Sequence, residues 1–348
     1  MQSRTHTRAR RGRRGLVLAL GVAFVGMGLA GASSAQAARC FGERPTISGT
    51  SGPDRVVGTN GPDVIYTGRG GDEILGRGGP DLLCGGPGRD RVDGEIGLDA
   101  IGGGLGKDRI LGGSQDDYLL GEEGNDTVIG QQANDQVLGG QDDDLLRGDA
   151  LGANYAGVDE LSGGDGDDRL LGQGGADSLA GNRGVDLVMG GDGPDSLSAS
   201  SDEEPDVYRG DAGIDLVTYA AYDDQVAVTL DDQANDGHGC PQVCEGDNVD
   251  HTNETVIGGD ADDTLIGDSS NNRLLGGFGT DVIQGKGGDD ILRGDAGADS
   301  LLGGEGDDAL RGGSDNDALD GGADTDDCRG DDGTADTAVN CEAVTGVP

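Results

Sequence analysis

The chain has 348 residues, of which 73 are glycine and none is tryptophan, and its formal charge is −43 at neutral pH. Aromatic residues make up 3% of it, which excludes an ordinary core built on large aromatic side chains. The negative charge excludes the protein classes that bind nucleic acid or an anionic membrane surface through basic patches.

The first 37 residues differ from the rest of the chain in charge. An apolar run, GLVLALGVAFVGMGLAG, is followed by the small residues AQA at 35–37 and preceded by six arginines, Arg4, Arg8, Arg10, Arg11, Arg13 and Arg14. This order of segments predicts a secretory signal peptide over residues 1–37. A membrane anchor is the alternative, although the run is about as short as a spanning helix can be.

Removing residues 1–37 takes away six basic residues and no acidic one, which leaves 18 basic against 67 acidic residues and a formal charge of −49. We expect a soluble, secreted, extracellular product that neither inserts into a membrane nor binds nucleic acid. The pairs Arg10-Arg11 and Arg13-Arg14 leave twin-arginine export open. Their flanking residues match that motif poorly, so we expect general secretion of an unfolded chain.

The rest of the chain contains an aspartate that recurs every nine residues. The first run is Asp54, Asp63, Asp72, Asp81, Asp90, Asp99, Asp108, Asp117, Asp126, Asp135 and Asp144. It continues at Asp159, Asp168, Asp177, Asp186, Asp195, Asp206 and Asp215, and a last run comprises Asp263, Asp281, Asp290, Asp299, Asp308, Asp317 and Asp326, with Asn272 in the vacant position. An apolar residue follows two positions after each aspartate of the first run.

Complete units follow the pattern G-G-x-G-x-D-x-U-x, in which U is apolar. Their glycines are Gly85, Gly86 and Gly88; Gly103, Gly104 and Gly106; Gly163, Gly164 and Gly166; Gly190, Gly191 and Gly193; Gly276, Gly277 and Gly279; and Gly303, Gly304 and Gly306. Glycine permits the positive φ of a tight turn, and x-U-x is long enough for a short strand. One apolar side chain per unit cannot be buried alone, so the units must stack.

This pattern resembles the RTX, or haemolysin-type, calcium-binding nonapeptide repeat, and the resemblance covers nearly all of residues 49–330. It implies an all-β fold, a parallel β-roll or β-solenoid in which two repeats make one turn of 18 residues. It also implies several calcium ions between the turns, held by repeat aspartates and glycine-turn carbonyls. Same-edge neighbours would be Asp90 with Asp108, Asp168 with Asp186, Asp177 with Asp195, Asp281 with Asp299, and Asp290 with Asp308.

The resemblance assigns the metal to the glycines of the six complete units and to sixteen aspartates. These are Asp54, Asp63, Asp72, Asp81, Asp90, Asp99, Asp108, Asp126, Asp168, Asp177, Asp186, Asp195, Asp281, Asp290, Asp299 and Asp308. Carboxylates mixed with carbonyls suit Ca²⁺ better than Mg²⁺, which prefers a strict octahedron and keeps its waters. The alternative is that the aspartates only form turns.

Several units lack the glycine at the fourth position, which puts their calcium sites in doubt. The residues found there are Gln115, Ala133, Asp142, Ala261, Ser270, Asp315 and Asp324. An alanine in a turn built for glycine crowds the backbone. We therefore expect Asp135, which follows Ala133, to bind calcium more weakly than Asp90 and Asp108.

The pattern predicts a division of the chain into a signal peptide (1–37), an N-terminal cap segment (38–48), the first β-roll blocks (49–218) with a loop at 151–157, an insertion (219–257), a second β-roll block (258–341) and a tail (342–348). In the insertion, Val226, Val228 and Leu230 alternate as in a strand. We expect a strand and a loop that leave the roll as a side excursion.

Six cysteines in an exported chain predict disulfides, for which 15 pairings exist. Nearness in sequence favours Cys40 with Cys84, Cys240 with Cys244, and Cys328 with Cys341, and the first and last would hold the two ends of the array. A zinc site at His238, Cys240, Cys244 and His251 is the alternative, but C-x-x-x-C is not the usual zinc spacing.

No catalytic motif accompanies the repeats. The chain has neither the H-E-x-x-H of zinc proteases nor the G-x-S-x-G of serine hydrolases. We expect a non-enzymatic calcium-binding protein that folds on binding the ion and serves as an extracellular structural or adhesive element. An accessory or glycan-binding module for a separate secreted enzyme is the alternative, and a cell-surface, glycan or enzyme partner is not identified by the sequence.

Overall fold

The computed structural model describes residues 39–150, 156–200, 202–239 and 246–347, and every regular element in them is a β-strand. The predicted signal peptide, the Cys240–Cys244 pair and most of the predicted 151–157 loop lie outside the described residues. No helix within these ranges could span a membrane.

The strands are short and follow one another along the whole described chain. The first seventeen are β1 Ile47–Ser48, β2 Arg55–Val57, β3 Val64–Tyr66, β4 Glu73–Gly78, β5 Leu82–Gly88, β6 Arg91–Ile96, β7 Ala100–Gly106, β8 Arg109–Ser114, β9 Tyr118–Glu123, β10 Thr127–Gln132, β11 Gln136–Gln141, β12 Leu145–Asp149, β13 Glu160–Asp165, β14 Arg169–Gly174, β15 Ser178–Arg183, β16 Leu187–Asp192 and β17 Ser196–Ser198. The others are β18 Val207–Ala212, β19 Leu216–Thr218, β20 Val226–Thr229, β21 Gly237–His238, β22 Asn248–Val249, β23 Thr255–Ile257, β24 Thr264–Ile266, β25 Arg273–Phe278, β26 Val282–Gly287, β27 Ile291–Ala296, β28 Ser300–Glu305, β29 Ala309–Ser314, β30 Ala318–Ala323, β31 Asp327–Asp331, β32 Thr337–Val339 and β33 Ala343–Thr345.

Most strands pair with the second strand before and after them in sequence, so the chain winds as a parallel β-solenoid. Around the insertion, β18 pairs with β22, β19 with β23 and β20 with β24. One face is a single sheet of 16 strands, from β1 to β33. The other face is divided into a sheet of 10 strands, β2 to β22, and a sheet of 7 strands, β21 to β32. The register between neighbours is 18 residues in the regular turns, as in Val92 opposite Ile110. The predicted all-β parallel roll is confirmed.

The core is a row of aliphatic side chains, one from each strand. Leu83, Ile101, Leu170 and Leu292, for example, have no exposed surface. Each comes from the apolar position of its unit and faces the space between the sheets, while its two strand neighbours face outward. Burial of one such side chain stabilises the fold by ~1.5–3 kcal/mol.

The turns between strands have a left-handed backbone at the second and fourth positions of most regular units. Gly104 and Gly106 have φ of +113° and +130°. At the fourth position Gln115 and Ala133 both have φ of +80°, which is nearer to the left-handed region that a side chain tolerates at a cost. The turns without a fourth-position glycine therefore keep the same handedness.

The insertion lies closer to the roll than the sequence indicated. Its predicted strand is present as β20, but this strand is not a side excursion, because Val228 pairs in parallel with Leu265 and so begins the 7-stranded sheet. Only β21 is antiparallel, where Val226 pairs with His238. The strand β23 likewise continues the 16-stranded sheet between β19 and β25.

Two disulfides join the ends of the array to neighbouring turns. Cys40 is bonded to Cys84 with a Cα–Cα distance of 5.7 Å, and Cys328 to Cys341 with 6.0 Å. Cys328 stands in the core row at the last regular turn and is fully buried. Both predicted pairings are confirmed, and they restrain the turns where a solenoid frays most readily.

Candidate metal centre

The repeat aspartates lie at the two edges of the roll, each just before a strand. Consecutive aspartates alternate between the edges because each turn of the solenoid contains two units. All five predicted neighbour pairs lie on the same edge: the backbone N–H of the earlier aspartate donates to Oδ1 of the later one at 2.7–2.8 Å. Oδ1 therefore links each turn to the turn before it in the stack.

The second oxygen, Oδ2, has a different environment in most of these aspartates. It is buried and accepts no hydrogen bond from the protein in Asp72, Asp81, Asp90, Asp99, Asp108, Asp126, Asp168, Asp177, Asp186, Asp195, Asp281, Asp290, Asp299 and Asp308. A buried polar atom without a partner costs ~1–3 kcal/mol, and more if it carries charge. A rigid row of such oxygens therefore indicates a ligand rather than a turn-capping role alone.

A small cradle adjoins each Oδ2 in the complete units. A Cβ atom at Gly85 would lie 2.5 Å from Asp90 Oδ2 and 2.8 Å from the carbonyl oxygen of Gly103. A Cβ atom at Gly103 would likewise lie 2.6 Å from Asp108 Oδ2 and 2.8 Å from the Gly121 carbonyl oxygen. The first glycine of the unit thus leaves space between a carboxylate oxygen and a carbonyl of the next turn.

Burial changes the acidity of these carboxyl groups. It raises the pKa of Asp90 to about 7 and that of Asp108 to about 6, with the carboxylates of neighbouring turns adding to the effect. The same cause raises the pKa of Asp186 to about 8 and that of Asp135 to about 9. Ionising these groups is costly without a nearby cation.

Three of the predicted ligands have a different environment. Asp54 Oδ2 accepts hydrogen bonds from the backbone N–H and Oγ1 of Thr50, at 2.6 and 2.9 Å, and Asp63 Oδ2 accepts the N–H of Thr59 at 2.6 Å. Before Asp72, Thr67 stands where other units have the first glycine and donates its hydroxyl to the Gly85 carbonyl. The first turns therefore satisfy their own carboxylates or fill the cradle.

Asp135, predicted as a weaker site, has the same buried, unpartnered Oδ2, and so do aspartates outside the predicted set: Asp117, Asp144, Asp159, Asp215, Asp317, Asp326 and Asp336. Three of them follow Gln115, Ala133 and Asp142, so a missing fourth-position glycine does not remove the carboxylate geometry. Their nine-residue register was the signal that identified them. Asp336 is the exception, since it stands ten residues after Asp326, and only the D-x-U triplet of Asp336 to Ala338 marked it.

The ligand chemistry of the cradles fits calcium. Within the described ranges, no three His, Cys, Asp or Glu side chains are grouped closely enough to hold a metal ion. The cradles instead combine a carboxylate oxygen with backbone carbonyls, the hard, flexible oxygen ligands that Ca²⁺ takes. A calcium ion there would supply the positive charge that the buried oxygens lack, and the residues that would hold it are the repeat aspartates and the first-position glycines of the next turn.

Comparison with known families agrees with this geometry. The family model of the RTX calcium-binding nonapeptide repeat matches in overlapping copies over residues 48–146, 155–217 and 252–334. A search of curated proteins found no match. Calcium between the turns of a parallel roll is typical of the family. The chain therefore belongs to the RTX calcium-binding nonapeptide repeat family and is a calcium-binding repeat protein.

Proposed function

We propose that this protein is a secreted, non-enzymatic calcium-binding element that folds when several calcium ions bind, and that it serves an extracellular structural or adhesive role. The observation that carries the proposal is the row of buried Oδ2 atoms without a protein donor. It supports the binding of a cation at many places along the roll. Family membership favours Ca²⁺ as that cation.

The electrostatic cost of the rows explains why folding would depend on the ion. Neighbouring turns are ~4.8 Å apart, so two ionised aspartates on one edge repel by about 3 kcal/mol at an effective dielectric of about 20. One buried leucine contributes ~1.5–3 kcal/mol. The repulsion therefore offsets most of the core, and a bound cation reverses it.

Two features support an extracellular location. The Cys40–Cys84 and Cys328–Cys341 disulfides belong to an oxidising compartment. Free calcium is abundant outside the cell, and the predicted signal peptide would take the chain there before it folds. The absence of catalytic motifs from the sequence supports a role that is not enzymatic.

The experiment compares the purified chain, residues 38–348, in chelator, in magnesium and in calcium by circular dichroism and size-exclusion chromatography. We expect an expanded, largely disordered chain in chelator, because its charge is high and its hydrophobicity low. Calcium should produce a compact β-spectrum over a narrow concentration range, with each site filled at 100 times its dissociation constant adding ~2.7 kcal/mol.

Magnesium at the same concentration is the control ion, and it should be much less effective because it gives up its waters reluctantly. A compact β-spectrum that persists in excess chelator after dialysis would contradict calcium-coupled folding. In that case the aspartates would act only as turn formers.

A further inference from the structure

The two sheets of the divided face meet at a junction that we define as residues 199–200, 202–208, 216–239 and 246–272, which leaves Asp215, with its unpartnered Oδ2, in the first array. The hydrogen bonds between aspartates of neighbouring turns continue into this junction. Asp206 Oδ1 accepts the backbone N–H of Asp186 at 2.8 Å, and Asp247 Oδ1 accepts that of Asp206 at 2.9 Å. The first oxygen of each carboxylate therefore has the same role here as in the regular turns.

The second oxygen has a protein partner in this junction. Asp206 Oδ2 accepts hydrogen bonds from the hydroxyls of Tyr208 and Ser200, both at 2.7 Å. Asp247 Oδ2 accepts the hydroxyl of Tyr219 at 2.9 Å. Both tyrosine side chains are fully buried, so these donors are shielded from water and stand where the regular turns leave Oδ2 without a partner.

The cradle is also absent from these turns. After Leu197 and Val217, the positions that carry the first glycine of a regular unit hold Ala199 and Tyr219. Tyr219 points into the core from that position, and Tyr208 occupies the aliphatic position of its own unit. A side chain therefore stands at both positions where the regular units have the glycine of the cradle.

Neighbouring positions around the junction also differ from the regular pattern. Asp236 has protein donors on both oxygens, from the N–H groups of Thr229 and Val249 at 2.7 and 2.9 Å. Asp263 Oδ2 accepts the N–H of Gly259 at 2.6 Å. On the opposite edge an amide, Asn272, replaces the carboxylate, and its Oδ1 accepts the N–H of Asp268.

We propose that the junction is a calcium-independent connector, in which hydroxyl and amide donors replace the ion and divide the roll into two separate calcium arrays. The first array comprises the unpartnered aspartates from Asp72 to Asp215, and the second those from Asp281 to Asp336. The inference rests on the proposed function, because it concerns which turns need the ion. It adds that each array binds calcium as a separate cooperative unit. The junction between the two arrays keeps its hydrogen bonds in chelator.

The first test counts calcium bound per chain after dialysis at a fixed free calcium concentration. Asp206→Asn with Asp247→Asn should bind as many ions as the parent chain, since neither carboxylate takes part in a site. The matched control, Asp186→Asn with Asp281→Asn, should bind fewer. If the junction variant loses ions as the control does, the connector is refuted while calcium-dependent folding stands.

A second test uses hydrogen exchange measured by mass spectrometry and does not depend on the asparagine variants folding. In chelator, junction amides such as those of Asn248 and Thr255 should exchange at least tenfold more slowly than array amides such as that of Arg109. Tyr208→Phe with Tyr219→Phe keeps both rings and should abolish this difference, whereas Tyr66→Phe should not.

The outcomes distinguish this inference from the proposed function. Equally fast exchange of junction and arrays in chelator would refute the connector alone. Equally slow exchange of both would refute calcium-coupled folding, and the connector with it. A calcium titration that orders both arrays in one step would also refute the division into two arrays.

Discussion

Replacing Asp108 by asparagine tests whether this residue is a metal ligand or only a turn former. Asp108 is 3% exposed, and its Oδ1 accepts the N–H of Asp90 at 2.7 Å. Asparagine keeps that oxygen and loses the charge and Oδ2. The chain already has an asparagine at this position of the repeat, since Asn272 stands there on the other edge and donates its N–H to Asp290.

The expected magnitudes differ between calcium and chelator. In calcium at 100 times the dissociation constant, loss of one site should lower the free energy of unfolding by ~2.7 kcal/mol. In chelator, the pKa of Asp108 is raised by burial to about 6, so its ionisation in the folded chain costs about 3 kcal/mol. Asparagine removes that cost but buries an unpartnered NH₂ group, at ~1–3 kcal/mol, and the net change should lie between about zero and a gain in stability of ~2 kcal/mol.

The assay is denaturant unfolding in saturating calcium, together with the concentration of a stabilising osmolyte that half-folds the chain in chelator. Asp192→Asn is the control, because Asp192 is exposed at the end of β16. A turn former would give Asp108→Asn the same small effect under both conditions. Equal changes in calcium and in chelator would therefore refute the assignment of Asp108 as a ligand.

Two further predictions concern the ranking of sites and the effect of pH. Asp135→Asn should shift the calcium midpoint of folding less than Asp108→Asn. The reasons are that burial raises the pKa of Asp135 to about 9 and that Ala133, two residues before it, has a positive φ. Equal midpoint shifts would mean that the two sites contribute equally. In chelator, burial raises the folded pKa of aspartates such as Asp108 to about 6 and Asp135 to about 9 from an unfolded value of about 3.9. Their contribution to stability is thus fully present below about pH 4 and is lost as the pH rises through the folded values. Acidification should therefore compact the calcium-free chain. When calcium is present, acidification should raise the calcium concentration at the midpoint of folding, because protons compete with the ion for the carboxylates. Circular dichroism between pH 4 and 8 measures both effects, and a calcium-free chain that expands on acidification would contradict them.

The repeat could be predicted from the sequence because each unit contains the residues that form its own turn and strand. The aliphatic residue two positions after Asp90 and Asp108 and the glycines between them predicted the turn and the strand, and the resemblance to the RTX repeat implied the 18-residue register. The pairings of Cys40 with Cys84 and of Cys328 with Cys341 were predicted from nearness in sequence. These features depend on contacts within one unit or between units in a fixed register, so a linear pattern is enough to reveal them.

Only the tertiary structure decided whether Oδ2 of each aspartate has a hydrogen-bond donor, because the donor residue is not placed by the nine-residue repeat. Tyr219 reaches Asp247 across 28 residues of sequence, and Asp206 meets Asp247 across 41. Thr50 and Thr59 satisfy Asp54 and Asp63, which the sequence did not distinguish from Asp90. Conversely, the turns at Gln115 and Ala133 keep the unpartnered oxygen that a missing glycine had put in doubt, because the stacked neighbours on both sides determine the path of the backbone.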